Sequence, residues 1–246
     1  MSAPTTIAMI PARAGSERLK LKNLRLLAGK PVIGHVIEAA RDSGVFSRIV
    51  VNADHPAFGD VAKRFGAEFY LRPAPLGSSE ARSDDVVADF MGQHAGDVLV
   101  WVNPIAPLQP AAEIRQVVGH FNDGEFDSLI TVKDEQVHCV FEGRPVNFDP
   151  HELFAKTQDL TPVQPFVYSL MMWRYASFLK HYAAHGYALL SGRLGYYPVG
   201  RDSTAIIKRE EDLRVAEALI AARSGAGAAE YDHAADEIVA AEAPCA

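Results

Sequence analysis

Strand-length apolar runs alternate with helix-length amphipathic segments through the first half of the chain, and that order admits few folds. RIVVNA (48–53), AEFYLR (67–72), DVLVWVN (97–103) and DSLITV (127–132) are short and rich in branched or aromatic residues. Between and around them, PVIGHVIEAARDSG (31–44), PAFGDVAKRFG (56–66), SDDVVADFMGQHA (83–95) and AAEIRQVVGHFN (111–122) carry apolar residues at helical spacing. Gly44 and Gly66 fit helix stops. Ser83 is the expected cap of the third helix, with Asp84 and Asp85 in its first turn, where acids suit the helix dipole. This βαβα order predicts an α/β, mostly parallel sheet with helices on both faces, and DVLVWVN is its expected central strand.

The pattern breaks near residue 134. Residues 134–166 hold polar, proline-bearing segments (EGRP, NFDP, LTPVQP) that read as turns and hairpins. YSLMMW (168–173) returns as a strand and RYASFLKHYAAHG (174–186) as a helix, followed by short expected strands YYPV (196–199) and STAII (203–207). REEDLRVAEALIAARS (209–224) is a helix, and residues 223–246 form an Ala/Gly-rich tail.

The first apolar run, Ile7 to Ile10, leads into IPARAGSERLKLKN (10–23). Gly15 permits a tight turn, and Arg13, Arg18, Lys20 and Lys22 set positive charge over a loop with free backbone amides. A solvated basic turn would show the same composition. Its place directly after the first strand favours an anion site, because ligands of open α/β sheets lie beyond the carboxyl ends of strands. The loop contains neither GxxxxGK[ST] nor GxGxxG, which argues against a P-loop ATPase and a dinucleotide-binding enzyme.

The formal net charge is -7, from 24 Lys and Arg against 31 Asp and Glu. A basic loop on an acidic chain points to a small anionic ligand rather than nucleic acid. The two cysteines, Cys139 and Cys245, form no CxxC pair, and no apolar segment is long enough to span a membrane, so a soluble, cytoplasmic protein is expected. No HExxH and no GxSxG is present, which removes the usual signals of a zinc hydrolase and a serine hydrolase.

IPARAGSERLKLKNLRLLAGKPVIGHVIEAA resembles the N-terminal signature of the acylneuraminate (CMP-sialic acid) cytidylyltransferases, IPARxGSKRLPxKNxxxLxGKPL, whose relatives activate pseudaminic acid, legionaminic acid and Kdo. FGAEFYLRPAPLGSSEARSDDVV resembles the second block of that family and EEDLRVAEAL its last helix, so the likeness runs through residues 5–222. It implies a Rossmann-like, doubly wound domain over 1–222, with an insertion at about 134–190 for dimerisation and the acceptor side, and a homodimer. It also implies transfer of CMP from CTP to a sugar acid or another small acidic acceptor, with pyrophosphate released and Mg²⁺ or Mn²⁺ assisting.

Carried over position by position, the resemblance places Ala12, Arg13, Gly15, Ser16, Asn23, Arg72, Ala81 and Ser83 against the nucleotide. Lys22, with Arg13 and Arg18, faces the triphosphate as the charge-stabilising set, and Asn103 and Gln109 lie toward the acceptor. The chain also departs from the family pattern. Glu17 replaces a lysine, Lys20-Leu21 replaces Pro-Gly, WVNPIAPLQ replaces LLQPTSPLR, and Phe166-Val167-Tyr168 falls where Glu-Asn-Gly is usual. Before the last helix, AIIKREED replaces IDIDTEED, so Ile206 and Lys208 stand where the family carries metal-binding aspartates. Isoleucine offers no oxygen to a hard cation, and lysine repels one. Three readings stay open: a divergent cytidylyltransferase, a nucleotide-binding pseudoenzyme with a regulatory or scaffold role, and a transferase using another nucleotide.

Overall fold

A computed structural model describes residues 4–224; the expected Ala/Gly-rich tail falls almost wholly outside them. In chain order the elements begin with β1 (Thr6–Ala12), β2 (Leu26–Leu27) and β3 (Lys30–Pro31), then α1 (Val32–Ser43), β4 (Arg48–Ala53), α2 (Ala57–Arg64) and β5 (Glu68–Leu71). They continue with α3 (Ser83–Gln93), β6 (Val98–Val102), α4 (Ala111–Asp123), β7 (Ser128–Val132), β8 (Val140–Phe141) and β9 (Arg144–Pro145). The last are β10 (Phe166–Arg174), α5 (Tyr175–His185), β11 (Leu194–Pro198) and α6 (Glu210–Ser224).

Seven strands form one sheet in the order β11-β7-β10-β6-β1-β4-β5, with β6 at its centre. All neighbours run parallel except β10, which lies antiparallel between β6 and β7. Strand alternation divides the side chains between two faces. Ala8, Ile10 and Ala12 of β1, with Val98, Val100 and Val102 of β6, pack under α1, α2 and α4. Ile7, Met9 and Leu99 point the other way, against Val87 and Phe90 of α3 and Phe178 of α5. Helices therefore cover both faces, the doubly wound, Rossmann-like arrangement. α1 stops where expected, with Gly44 in the left-handed region at φ 69°.

A third, smaller cluster lies outside the sheet. Leu19, Leu27 and Val32 from the N-terminal loop region meet Leu108, Ile207 and Leu213. Ile207 is fully buried, and burial of a side chain of that size contributes about 1.5–3 kcal/mol. This cluster fixes the start of α6 against the basic loop.

The interval 134–190 divides in two. Residues 134–165 leave the sheet as an arm containing the β8–β9 hairpin and the bridge between Glu135 and Val163. β10 and α5 then rejoin the main sheet and its flank.

Two local expectations are corrected. Residues 203–207 form no strand: Arg201–Thr204 is a 3-10 helix. The branched run looks strand-like, but the segment is pinned sideways, since Gly200 N donates to Glu113 Oε1 at 2.6 Å and Ser203 Oγ donates to the same carboxylate. Ser83 is the first residue of α3 rather than its cap; Arg82 holds the cap position in extended conformation. Asp84 and Asp85 do lie in the first turn, as expected, and also serve neighbours, Asp85 pairing with Arg82 and Asp84 Oδ1 accepting the Ala188 amide at 2.6 Å.

Candidate active site

Counting outward from β1, the chain runs to β4 and β5 on one side and then crosses to β6 on the other. The carboxyl ends of β1 and β6 thus flank a topological switch point, where the connections diverge and leave a crevice. A cleft of ≈ 300 Å³ occupies it. Pro11, Ala12 and Arg13 enter from the end of β1, Trp101 and Asn103 from the end of β6, Arg72 from just beyond β5, and Lys208 from the turn before α6.

The basic loop folds around this cleft as a series of tight turns. Ser16 N donates to Ala14 O at 2.9 Å, and Lys22 N to Leu19 O at 3.1 Å. The loop is anchored by Asp54, whose Oδ1 accepts the Ala14 amide at 2.9 Å. Gly77 backs directly on Asp54, where a Cβ would lie 2.6 Å from the aspartate Cβ, so no larger residue fits without moving the anchor. Leu21 takes the left-handed conformation, φ 51° and ψ 34°, and sets up the short 3-10 helix Lys22–Leu24 that turns Lys22 and Asn23 into the cleft. Lys22 Nζ donates to Ile207 O at 3.3 Å, which joins the first loop to the approach of the last helix.

Charge in the cleft is concentrated. Burial, and after it the charges of Arg18, Arg13 and Lys208, pull the Lys22 ammonium from its ordinary 10.5 down to about 8, with Asp212 opposing. Arg72 is buried, and its guanidinium donates to Ala12 O. Burial lowers its pKa, Asp54 opposes and Arg13 adds to the lowering. Among the described residues, Arg13, Arg18 and Lys208 have no carboxylate at ion-pair distance, whereas Arg25, Arg48 and Arg82 do. Buried atoms without a hydrogen-bond partner also gather here: Asn23 Oδ1, Arg72 Nε and Trp101 Nε1. Other such atoms lie away from the cleft, on Asn52 and Tyr175 among others, but these three are placed where a polar ligand could satisfy them.

Of the positions singled out in the sequence, Ala12, Arg13, Ser16, Arg18, Lys22, Asn23, Arg72, Ala81, Ser83 and Asn103 all line this one cleft. Two lie elsewhere. Gly15 is exposed, with open space around it, and is not part of the cleft lining. Gln109 is buried, and its amide nitrogen donates to Glu113 Oε2 at 3.1 Å, which makes it part of the Glu113–Ser203 support rather than of the cleft wall. Asp54 and Trp101 had no motif to announce them; Asp54 follows β4 directly, which was the available hint.

Carboxylates do not fit a divalent ion in this cleft. Among the described residues no group of three or more His, Cys, Asp or Glu could hold a metal. Three acids near the last helix are engaged otherwise, and Glu211 lies outside the cleft lining. Asp202 pairs with Arg223 and Glu210 with Arg25, each at 2.7 Å, and Asp212 Oδ2 accepts the amides of Lys208 and Arg209 at 2.8 Å. The last contact is half of a capping box, a side chain in the first turn reaching back to the helix entrance.

A family model described as cytidylyltransferase matches residues 7–173. The chain belongs to the cytidylyltransferase family. It is 37% identical over 109 residues to the N-acylneuraminate cytidylyltransferase of Escherichia coli O18:K1:H7, covering 44% of this chain and 25% of that protein. Over 118 residues it is 38% identical to the CMP-N,N'-diacetyllegionaminic acid synthase of Legionella pneumophila, covering 46% of this chain and 51% of that one. The chain thus matches only a quarter to about half the length of these relatives. Among solved structures it is similar to a CMP:2-keto-3-deoxy-manno-octonic acid synthetase complexed with CTP, with TM-score 0.68, 17% identity, and 89% of this chain and 99% of that chain covered. The 4-diphosphocytidyl-2C-methyl-D-erythritol synthase of Anaerococcus prevotii follows at TM-score 0.64 and 12% identity, covering 88% and 98%. At these identities the structural likeness establishes a shared fold for this cytidylyltransferase-family chain.

Proposed function

We propose that the chain binds CTP in the cleft at the β1/β6 switch point and transfers CMP to the hydroxyl of a sugar acid or a related small acidic acceptor. The observation that carries this reading is the convergence of Arg13, Arg18, Lys22 and Lys208 with the buried, unpartnered polar atoms of Asn23 and Arg72 in one cleft. The cations suit a polyanion, and the buried atoms suit the polar edges of a nucleoside. In the reaction the acceptor oxygen bonds to the α-phosphorus while the bond from that phosphorus to the bridging oxygen breaks. Pyrophosphate departs with the electron pair, and the hydroxyl proton passes to solvent. Lys22, fixed by Ile207, stabilises the charge that builds on the phosphate oxygens, with Arg13 and Arg18 beside it. Ala12, Ser16, Ala81 and Ser83 shape the nucleotide side, and Asn103 and Trp101 border the acceptor side.

The arm formed by residues 134–165 serves homodimerisation in this reading. It exposes Val140, Phe141, Val146, Leu153 and Phe154, large apolar side chains of the kind that mark interaction surfaces when they are grouped. No helix among the described residues is long and apolar enough to cross a membrane, and in this reading the protein works in the cytoplasm, where CTP is at hand.

The test mixes the protein with CTP, Mg²⁺ and a panel of sugar acids and measures pyrophosphate. Release with at least one acid is expected. CTP affinity without release across the panel would leave a nucleotide-binding protein of this fold. The absence of both would overturn the reading.

A further inference from the structure

Lys208 has a fixed backbone and a free head. Its amide is held by Asp212 Oδ2 at 2.8 Å, and the preceding Ile207 is buried with its amide on Ile105 O at 2.8 Å and its carbonyl accepting from Lys22. The side chain lines the cleft that Arg13, Arg18 and Lys22 also line, and among the described residues its ammonium has no carboxylate at ion-pair distance. Of the acids nearby, Asp202 and Glu210 pair with arginines, Asp212 and Asp54 accept backbone amides, and Glu211 is exposed and outside the cleft lining. Glu17, the one carboxylate in the lining, is exposed and shares the wall with Arg18. Four cations facing one another repel a divalent ion and attract a polyanion. A free triphosphate carries more negative charge than its magnesium complex, so this cleft gains more from the free form.

Resting on the nucleotide reading above, we propose that Lys208 is a tethered counter-ion for the polyphosphate, standing where a divalent ion would otherwise be held, so that this chain grips a nucleoside triphosphate without bound metal.

Calorimetric titration of the full chain with CTP, once in excess EDTA and once in Mg²⁺, tests it. Affinity in EDTA is expected to be greater than in Mg²⁺, or within about threefold of it. Lys208→Ala is expected to weaken binding in EDTA by about tenfold or more, the loss typical of a charge-assisted contact. The exposed position of Lys208 leaves the unligated melting temperature of that variant unchanged. Binding seen only with Mg²⁺ would overturn the inference and leave the nucleotide reading intact. A Lys208→Ala variant that binds metal-free CTP as tightly as the parent would remove the role assigned to Lys208. No binding under either condition would sink the nucleotide reading and this inference with it.

Discussion

The ammonium of Lys22 donates to the main-chain carbonyl of Ile207 at 3.3 Å, joining residues 185 positions apart in the chain. The bond holds a half-buried cation at the mouth of the cleft and couples the first loop to the entrance of α6. Lys22→Met removes the charge and keeps the stem. CTP affinity is expected to fall by about tenfold to a hundredfold, the range for a lost charge-assisted contact. The unligated protein should be no less stable, because the charge sits in a partly desolvated site among like charges. Titration calorimetry and a urea melt check both halves; a variant that binds CTP like the parent would remove Lys22 from the site.

The same environment gives a pH dependence. In the unligated protein Lys22 titrates near 8 rather than at its ordinary 10.5. Above 8 a triphosphate must bind the minority protonated form, so affinity should fall by up to about tenfold per pH unit between 8 and 9. Folding stability moves the opposite way. The unfolded chain holds the Lys22 proton up to its higher pKa, so between 8 and 10.5 it binds more protons than the fold, and the Lys22 contribution to stability rises with pH. Subtracting the profiles of Lys22→Met isolates both trends, and equal slopes in parent and variant would count against them.

Leu21 occupies the left-handed region at φ 51°, where a side chain meets the following carbonyl. The family pattern has glycine at this position, and the geometry says why. Left-handed backbone costs a non-glycine residue about 1–2 kcal/mol, against about 0.5–1 kcal/mol for the extra freedom glycine loses on folding. Leu21→Gly relieves that strain but also gives up the packing of a side chain that is 40% exposed and otherwise covered, about 1–2 kcal/mol, so its stability in urea denaturation should lie within about 1 kcal/mol of the parent. A loss well beyond that would show that the left-handed turn costs leucine little here. Tyr168 repeats the situation at φ 61°, where the family pattern again ends on glycine, inside the irregular stretch of β10 between Phe166 and Met171.

These strained positions illustrate what could be read from the chain and what could not. Alternating apolar runs located the central sheet, because burial on both faces leaves a strong one-dimensional signal in strands such as Val98–Val102. Gly44 marked a helix end because a left-handed residue is needed there. The basic loop was legible because its charges are contiguous in sequence. Asp54 and Trp101 were not: strand order fixes which strand ends become neighbours, and through it Trp101 comes to line the cleft and Asp54 to anchor the loop that folds around it. Gln109 misled for a local reason: its chemistry suits a ligand, but Glu113, four residues on in the first turn of α4, accepts its amide. Ser83 shows that a good capping residue does not decide where a helix begins when the residue before it already takes the extended cap conformation.

The arm offers the remaining test. Val140, Phe141, Val146, Leu153 and Phe154 are exposed, with Leu153 at 95% and Phe154 at 78%. Val137, Cys139, Val140, Phe141, Val146 and Val163 also line an apolar groove of ≈ 750 Å³ on the same arm. Surface of this kind is stable in water when another surface covers it, and a second copy of the chain brings the same apolar arm to a twofold contact. Sedimentation should show a dimer at micromolar concentration. The double change Phe141→Ser and Leu153→Ser should shift it to monomer, because both side chains are exposed and their loss costs the single chain little. Far-ultraviolet circular dichroism should be unchanged in the variant, which separates dissociation from unfolding. A parent protein that sediments as a monomer at every concentration would exclude the arm as a dimer contact.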